Sequence, residues 1–147
     1  MMRIASGRLM GISEVTARIV YLREHAVGDA RFRRFNELTL VRNNLPVLSL
    51  SWTLIHPIDE QSPLWNLTPE RIEAEAPTLL VSVSGFDESI SAPITDRKVY
   101  RAPDVRQGHV FVDIIRDLPS GYIELDLTRL HDTTPAVGFQ ESAVRAS

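Results

Sequence analysis

The chain has 147 residues, 44% of them apolar and 24% charged, with a formal net charge of −3, the balance of one globular domain large enough to bury a core. The lack of a basic excess argues against nucleic acid as a partner, and the lack of cysteine excludes disulfides, thiolate nucleophiles and cysteine-held metals. No run approaches the ~18 apolar residues of a membrane-crossing helix, and no signal-peptide pattern opens the chain, so composition points to a soluble intracellular domain.

Residues 1–11, with Arg3, Arg8 and two glycines, read as an entering edge segment. From Glu14 to Leu22, Val15, Ala17, Ile19 and Tyr21 alternate with Glu14, Thr16 and Arg18, which predicts a strand with one face in a core. His25 to Asp29 reads as a turn, Arg31-Phe32-Arg33-Arg34-Phe35 as a charged loop face open to anionic lipid headgroups if a membrane lies near, and Leu38-Thr39-Leu40 as a strand. Asn43-Asn44 and Pro46 mark a turn into the central strand. There Leu48, Leu50, Trp52 and Leu54 share one face, and Ser49, Ser51 and Thr53 the other. Pro57 ends that ladder because it has no N–H to donate.

Thr68-Pro69-Glu70 has the order of a helix start: an N-cap hydroxyl, a proline at the first helical position, and an acid near the positive end of the dipole. Pro77 limits that helix to about Pro69–Ala76. Leu79, Val81 and Val83 alternate with Ser82 and Ser84 as far as Gly85, whereas Phe86 to Thr95 reads as the least regular part of the core region. Arg97 to Tyr100 resumes extended chain. Val110, Val112 and Ile114 line one side of a further strand, which Pro119-Ser120-Gly121 turns back into Tyr122–Leu127. The domain is expected to span 1–135, with residues 136–147 as a frayed tail. Seven or eight short strands, one short helix and no internal repeat predict an all-β sandwich rather than an α/β fold.

Chemical signatures are sparse. There is no G-x-S-x-G, G-x-G-x-x-G or phosphate-cradling loop. His25, His56, His109 and His131 lack the H-x-H or H-x-x-x-H spacing of a metal site. His56 before a proline reads as a packed histidine. Asp59-Glu60 and Asp87-Glu88 read as solvated acids or acids capping turn N–H groups rather than acid–base pairs. A hydrolase built on His56 with Asp59-Glu60 would need a pocket that nothing in the sequence signals. No enzyme, metal or cofactor is expected.

Ordered blocks along the chain nevertheless carry a specific wording. Trp52-Thr53-Leu54-Ile55-His56-Pro57-Ile58-Asp59-Glu60 followed by Ser62-Pro63-Leu64 resembles the cytoplasmic domain of inward rectifier potassium channels, prokaryotic branch. Arg3-Ile4-Ala5 with Arg8, Gly85 to Arg97-Lys98-Val99-Tyr100, Asp104-Val105-Arg106 with Gly108-His109 and Phe111, and Asp126-x-x-Arg129-x-His131 with Thr133 resemble further blocks of that family in order. The likeness runs from Arg3 to about Pro135.

The resemblance implies an immunoglobulin-like (E-set) β-sandwich, four copies of which surround a water-filled extension of a potassium pore and regulate its gate. It places Glu14 and Glu88 among the acids lining the ion path, and Ser89, Ile90, Ser91, Ala92, Pro93 and Ile94 in a loop that narrows the pore at its membrane end. Fourfold symmetry would make each acid a ring. A monovalent ion on the axis at ~7 Å would gain roughly 2 kcal/mol from one ring in water, about halved by salt, and a divalent ion twice that. K⁺ would then pass while Mg²⁺ or a polyamine is held as a blocker. Arg8 and Arg18 match positions tied to anionic-lipid regulation in eukaryotic relatives, although Arg18 has Glu14 and Glu24 as alternative partners on its sheet.

The chain also departs from the family's wording. The filter T-V-G-Y-G and both membrane helices are missing, so the chain reads as the cytoplasmic piece of a longer protein, seated at the cytoplasmic face of the membrane beneath a pore domain of that same protein. Gln107 stands where a tryptophan is common, Ser91, Ala92 and Pro93 make the narrowing loop unusual, and Val41 and Leu45 replace acids, which implies weak rectification. The competing expectation is a free-standing immunoglobulin-like binding module with no pore role.

Overall fold

A computed structural model describes residues 1–8 and 10–137; the greater part of the expected tail, 138–147, lies outside the described residues. Among the described residues the chain is an all-β sandwich with one short α-helix, as the strand spacing predicts. Eleven strand segments are present among the described residues: β1 Met2–Ala5, β2 Ile12–Val27, β3 Ala30–Glu37, β4 Asn44–Leu48, β5 Ser51–Leu54, β6 Thr78–Asp87, β7 Ala92–Tyr100, β8 His109–Phe111, β9 Ile115–Asp117, β10 Ile123–Leu125 and β11 Thr133–Pro135.

The long strand β2 organises the main sheet, whose order is β3-β2-β6-β7. β6 pairs with one edge of β2 from Ile12 to Leu22. The other edge is shared in tandem by β4, opposite Ile12–Thr16, and β3, opposite Val20–Val27. Beyond Leu22, β2 and β3 continue without β6 as a two-stranded ribbon closed at Gly28, whose φ of +61° suits glycine. The turn expected over His25–Asp29 is therefore confined to its last two residues. The arginine-rich segment is not a loop but β3, exposed at seven of its eight positions. Leu38–Leu40 is the connection that leaves it, with Leu38 drawn into the core.

The alternation read from the sequence is the core. Val15, Ala17, Ile19 and Tyr21 of β2 and Val81 of β6 pack with Leu48, Trp52 and Leu54, and Met2 and Ile4 close the far side from β1. The predicted central strand is two strands. β4 pairs with β2 and β5 with β1, the chain changing partner across Ser49-Leu50. Asn44 and Pro46, expected in a turn, lie inside β4, an edge strand where a missing N–H is tolerated. Likewise Val110–Ile114 is not one strand: β8 ends at Phe111 and pairs with β11, and β9 begins at Ile115 and pairs with β10. Arg3 ties β1 to this region, donating to the Val112 carbonyl at 2.7 Å and stacking over Phe111 at 4.5 Å.

The helix α1, Pro69–Glu75, is built as its sequence dictates. The Arg71 N–H donates to Thr68 Oγ1, Pro69 opens the helix, and Ala76 caps it with a left-handed φ of 42° before Pro77. Ile72 is its buried contact.

Candidate functional site

The features singled out in the sequence gather at the end of the main sheet where β2 begins and β6 turns into β7. The segment expected to be irregular is instead a regular hairpin. Asp87 pairs with Ala92, Phe86 with Pro93 and Gly85 with Ile94, so only Glu88–Ser91 form the turn. Of the expected narrowing loop, Ser89, Ile90 and Ser91 are in the turn, whereas Ala92, Pro93 and Ile94 belong to β7. Ser91 closes the turn at φ +50°, a left-handed conformation that is uncommon for a non-glycine residue. Glu88 and Ile90 are exposed at the tip.

Asp87 anchors this turn from below. Its side chain is 1% exposed, and its Oδ1 accepts the Ser89 N–H at 3.0 Å and the Ser89 hydroxyl. Arg8 Nη1 approaches Oδ2 at 3.0 Å, although Oδ2 makes no hydrogen bond. The Ser89 hydroxyl, its N–H, the Arg8 charge and the Ile90 N–H together hold the Asp87 carboxyl below its ordinary pKa against the opposing effect of burial, the Ser89 hydroxyl contributing most. Arg8 is positioned in turn by its own N–H, which donates to the buried Ser6 hydroxyl at 3.2 Å. A basic residue singled out for lipid is thus the ion-pair partner of the hairpin's root.

Glu14 stands close by, at a break in the β2 register. Pairing with β6 passes from Ser13/Phe86 to Thr16/Ser84, so Glu14 and Val15 together face the single residue Gly85. Glu14 takes a φ of 49° and points to solvent, whereas Val15 is fully buried. A Cβ on Gly85 would lie 2.6 Å from Ile12 Cγ2 and 3.0 Å from the Ser13 carbonyl oxygen, so the bulge that presents Glu14 needs glycine opposite it. Glu14 and Glu88 are both free of ion pairs among the described residues.

Arg18 is elsewhere. It pairs with Ser82 six residues beyond Ile12, roughly 20 Å along β2 from the hairpin. Its guanidinium is engaged by Glu37 in a two-pronged pair at 3.0 and 2.8 Å, which raises the Arg18 pKa and lowers that of Glu37. Its partner is therefore neither Glu14 nor Glu24. Glu24 faces Arg31 and Arg33 on the ribbon instead. Arg8 and Arg18 do not form one basic patch.

The histidine and acid candidates have structural partners. His56 Nδ1 lies 2.7 Å from the Thr39 carbonyl and must donate to it, so in neutral His56 Nε2 accepts from the Ser62 hydroxyl at 2.7 Å. Asp59 caps the Gln61 N–H at 3.0 Å. Among the described residues, no three His, Asp or Glu side chains come together as a metal site, and no helix is long and apolar enough to cross a membrane. Asp87 caps a turn N–H, one of the two readings its position suggested, but sequence reasoning missed its burial, its ion pair with Arg8 and the bulge at Glu14. The signals were present: an Asp-x-Ser at a turn, and a glycine inside a strand pattern.

Comparison with known proteins agrees with the blocks in the sequence. The family described as inward rectifier potassium channel C-terminal domain matches residues 1–146. The chain is 36% identical over 133 residues to the inward rectifier potassium channel Kirbac3.1 of Paramagnetospirillum magnetotacticum, covering 90% of this chain and 45% of that protein. It is 31% identical over 85 residues to human inward rectifier potassium channel 4, covering 58% and 19%. To G protein-activated inward rectifier potassium channel 2 of Pongo abelii it is 25% identical over 156 residues, covering 100% and 37%. The chain spans less than half the length of each of these relatives.

Proposed function

Because the chain belongs to the inward rectifier potassium channel C-terminal domain family, a family of channels and not of enzymes, we propose that four copies assemble around a common axis and extend a potassium pore on its cytoplasmic side. The pore domain that spans the membrane belongs to the same full-length protein. The Glu88–Ser91 hairpin faces the axis as the narrow point, and Glu14 and Glu88 contribute rings of carboxylates along the ion path. K⁺ is the permeant ion. Mg²⁺ and polyamines, drawn at least twice as strongly by each ring, are the blockers.

The observation that carries this reading is the joint placement of both acids. Each is exposed and held in place by its backbone, Glu14 by a left-handed bulge and Glu88 by a turn anchored at Asp87, at one end of one sheet. An acid that acts on a passing ion through its field needs a fixed position and open solvent rather than a counter-charge. Gating follows as movement of whole sandwiches that widens or narrows the ring of hairpins. Arg8 and Arg18 each already have a carboxylate partner, Asp87 and Glu37, so an anionic headgroup would compete with that partner at either position.

Recording currents from the full-length protein tests this. Glu88→Gln is expected to weaken Mg²⁺ block while leaving K⁺ conduction in place. Unchanged block would remove Glu88 from the ion path.

A further inference from the structure

The face of β2 that fills the core continues past the end of the core. After Tyr21 the next residue on that face is Arg23, and the register sets Tyr21 opposite Asn36 and Arg23 opposite Arg34 on β3. With Pro63 these four side chains line a cavity of about 270 Å³. Two features of it are unexplained by folding alone. Like charges directly opposed across an antiparallel pair destabilise it, and here two arginines are so placed. Tyr21 is 1% exposed and its hydroxyl makes no hydrogen bond, which is unusual for a buried polar group.

The charge balance around the cavity is positive. Glu75 lies 3.4 Å from Arg23 and 2.8 Å from Arg71, and Arg34 makes no ion pair among the described residues. Three guanidinium groups thus face one carboxylate. Burial first, and then the Glu75 charge, raise the Tyr21 pKa against the nearby Arg23 and Arg71 guanidinium groups, so the hydroxyl stays protonated.

We propose that this cavity is a binding site for a small phosphate-bearing anion, inorganic phosphate or a phosphate monoester. Arg23 and Arg34 present N–H forks from opposite strands, with Asn36 and Tyr21 lining the cavity beside them. A tetrahedral oxyanion offers acceptors in several directions and turns the opposed arginines from a repulsion into a clamp. The site is independent of the pore reading. Arg23 stands eleven residues along β2 from Ile12, roughly 35 Å from the hairpin end.

The test is a titration of the 147-residue chain with inorganic phosphate at constant ionic strength, followed by backbone amide shifts. Saturable shifts centred on Arg23, Arg34 and Asn36 are expected, displaced by sulfate and not by chloride. Arg34→Gln on the exposed edge strand should weaken binding about tenfold or more, and Arg34→Lys should fall between it and the parent. A parallel sedimentation with phosphatidic acid vesicles, whose headgroup is a phosphate monoester, and phosphatidylcholine vesicles separates the sources. Co-sedimentation with the anionic vesicles that phosphate displaces assigns the site to a headgroup, and titration without co-sedimentation assigns it to a free phosphate. An absence of saturable shifts, shifts unaltered by Arg34→Gln, or vesicle binding that phosphate does not displace would overturn the proposal.

Discussion

Replacing Gly85 by alanine tests the joint on which the position of Glu14 depends. In a strand the exchange ordinarily stabilises by about 0.5–1 kcal/mol, because alanine has less backbone freedom to lose. At this position the added methyl meets Ile12 Cγ2 at 2.6 Å, the Ser13 carbonyl oxygen at 3.0 Å and Val15 Cγ2 at 3.3 Å. Ile12 is β-branched and the carbonyl is backbone of the bulge itself, so neither moves aside cheaply. Overpacking of this kind costs about 1–3 kcal/mol, and the clash wins by about 1 kcal/mol. At a urea slope of about 2 kcal/mol per molar, the unfolding midpoint of Gly85→Ala should fall by roughly 0.5 M with the slope unchanged. Gly7→Ala is the control, since nothing lies within 4 Å of a Cβ there, and its midpoint should not fall. A Gly85→Ala midpoint equal to or above the parent's would refute the close approach and with it the bulge that presents Glu14.

Leu54→Ala, at a side chain with no exposure, should lower stability by about 2–5 kcal/mol in the same assay, while the neighbouring exposed Ile55→Ala should change it by less than about 0.5 kcal/mol. Asp87 gives a pH signature. Its folded pKa lies below the ordinary value of 3.8, so its carboxylate contributes stability that is complete above about pH 4–5 and is lost as pH falls through the depressed pKa. Asp87→Asn should therefore be less stable than the parent at neutral pH, and the gap should close in acid. A gap that is constant from pH 7 to pH 2 would show that the Arg8 and Ser89 contacts do not depend on its charge.

Much of the core was legible because burial and periodicity coincide there. Val15, Ala17, Ile19 and Tyr21 were read as one face and are buried as one. The change of partner at Ser49-Leu50 was not legible for the same reason. Leu48, Trp52 and Leu54 face one core from both sides of the break, so the alternation passes through it undisturbed. β3 was hidden because it is wet on both faces and carries no alternation to detect; it is a strand because the lower edge of β2 is open to it. Leu38–Leu40 showed the opposite error, an apolar alternation produced by one buried connector residue. At the site, the acids and the glycine were visible in the sequence. What hid the arrangement is that a bulge and a buried ion pair between Arg8 and Asp87 depend on segments far apart in the chain, 79 residues for the ion pair, being brought side by side.

The proposed ion path at Glu88 can be tested by chemistry on a single atom. These 147 residues hold no cysteine, so Glu88→Cys places the one thiol of this domain at the hairpin tip, and the full-length protein without the substitution is the control for thiols elsewhere. Modification of that thiol by a cationic methanethiosulfonate reagent during recording should reduce K⁺ current progressively, and more slowly when Mg²⁺ occupies the pore. Complete modification with current and Mg²⁺ block unchanged would place the hairpin away from the conduction axis.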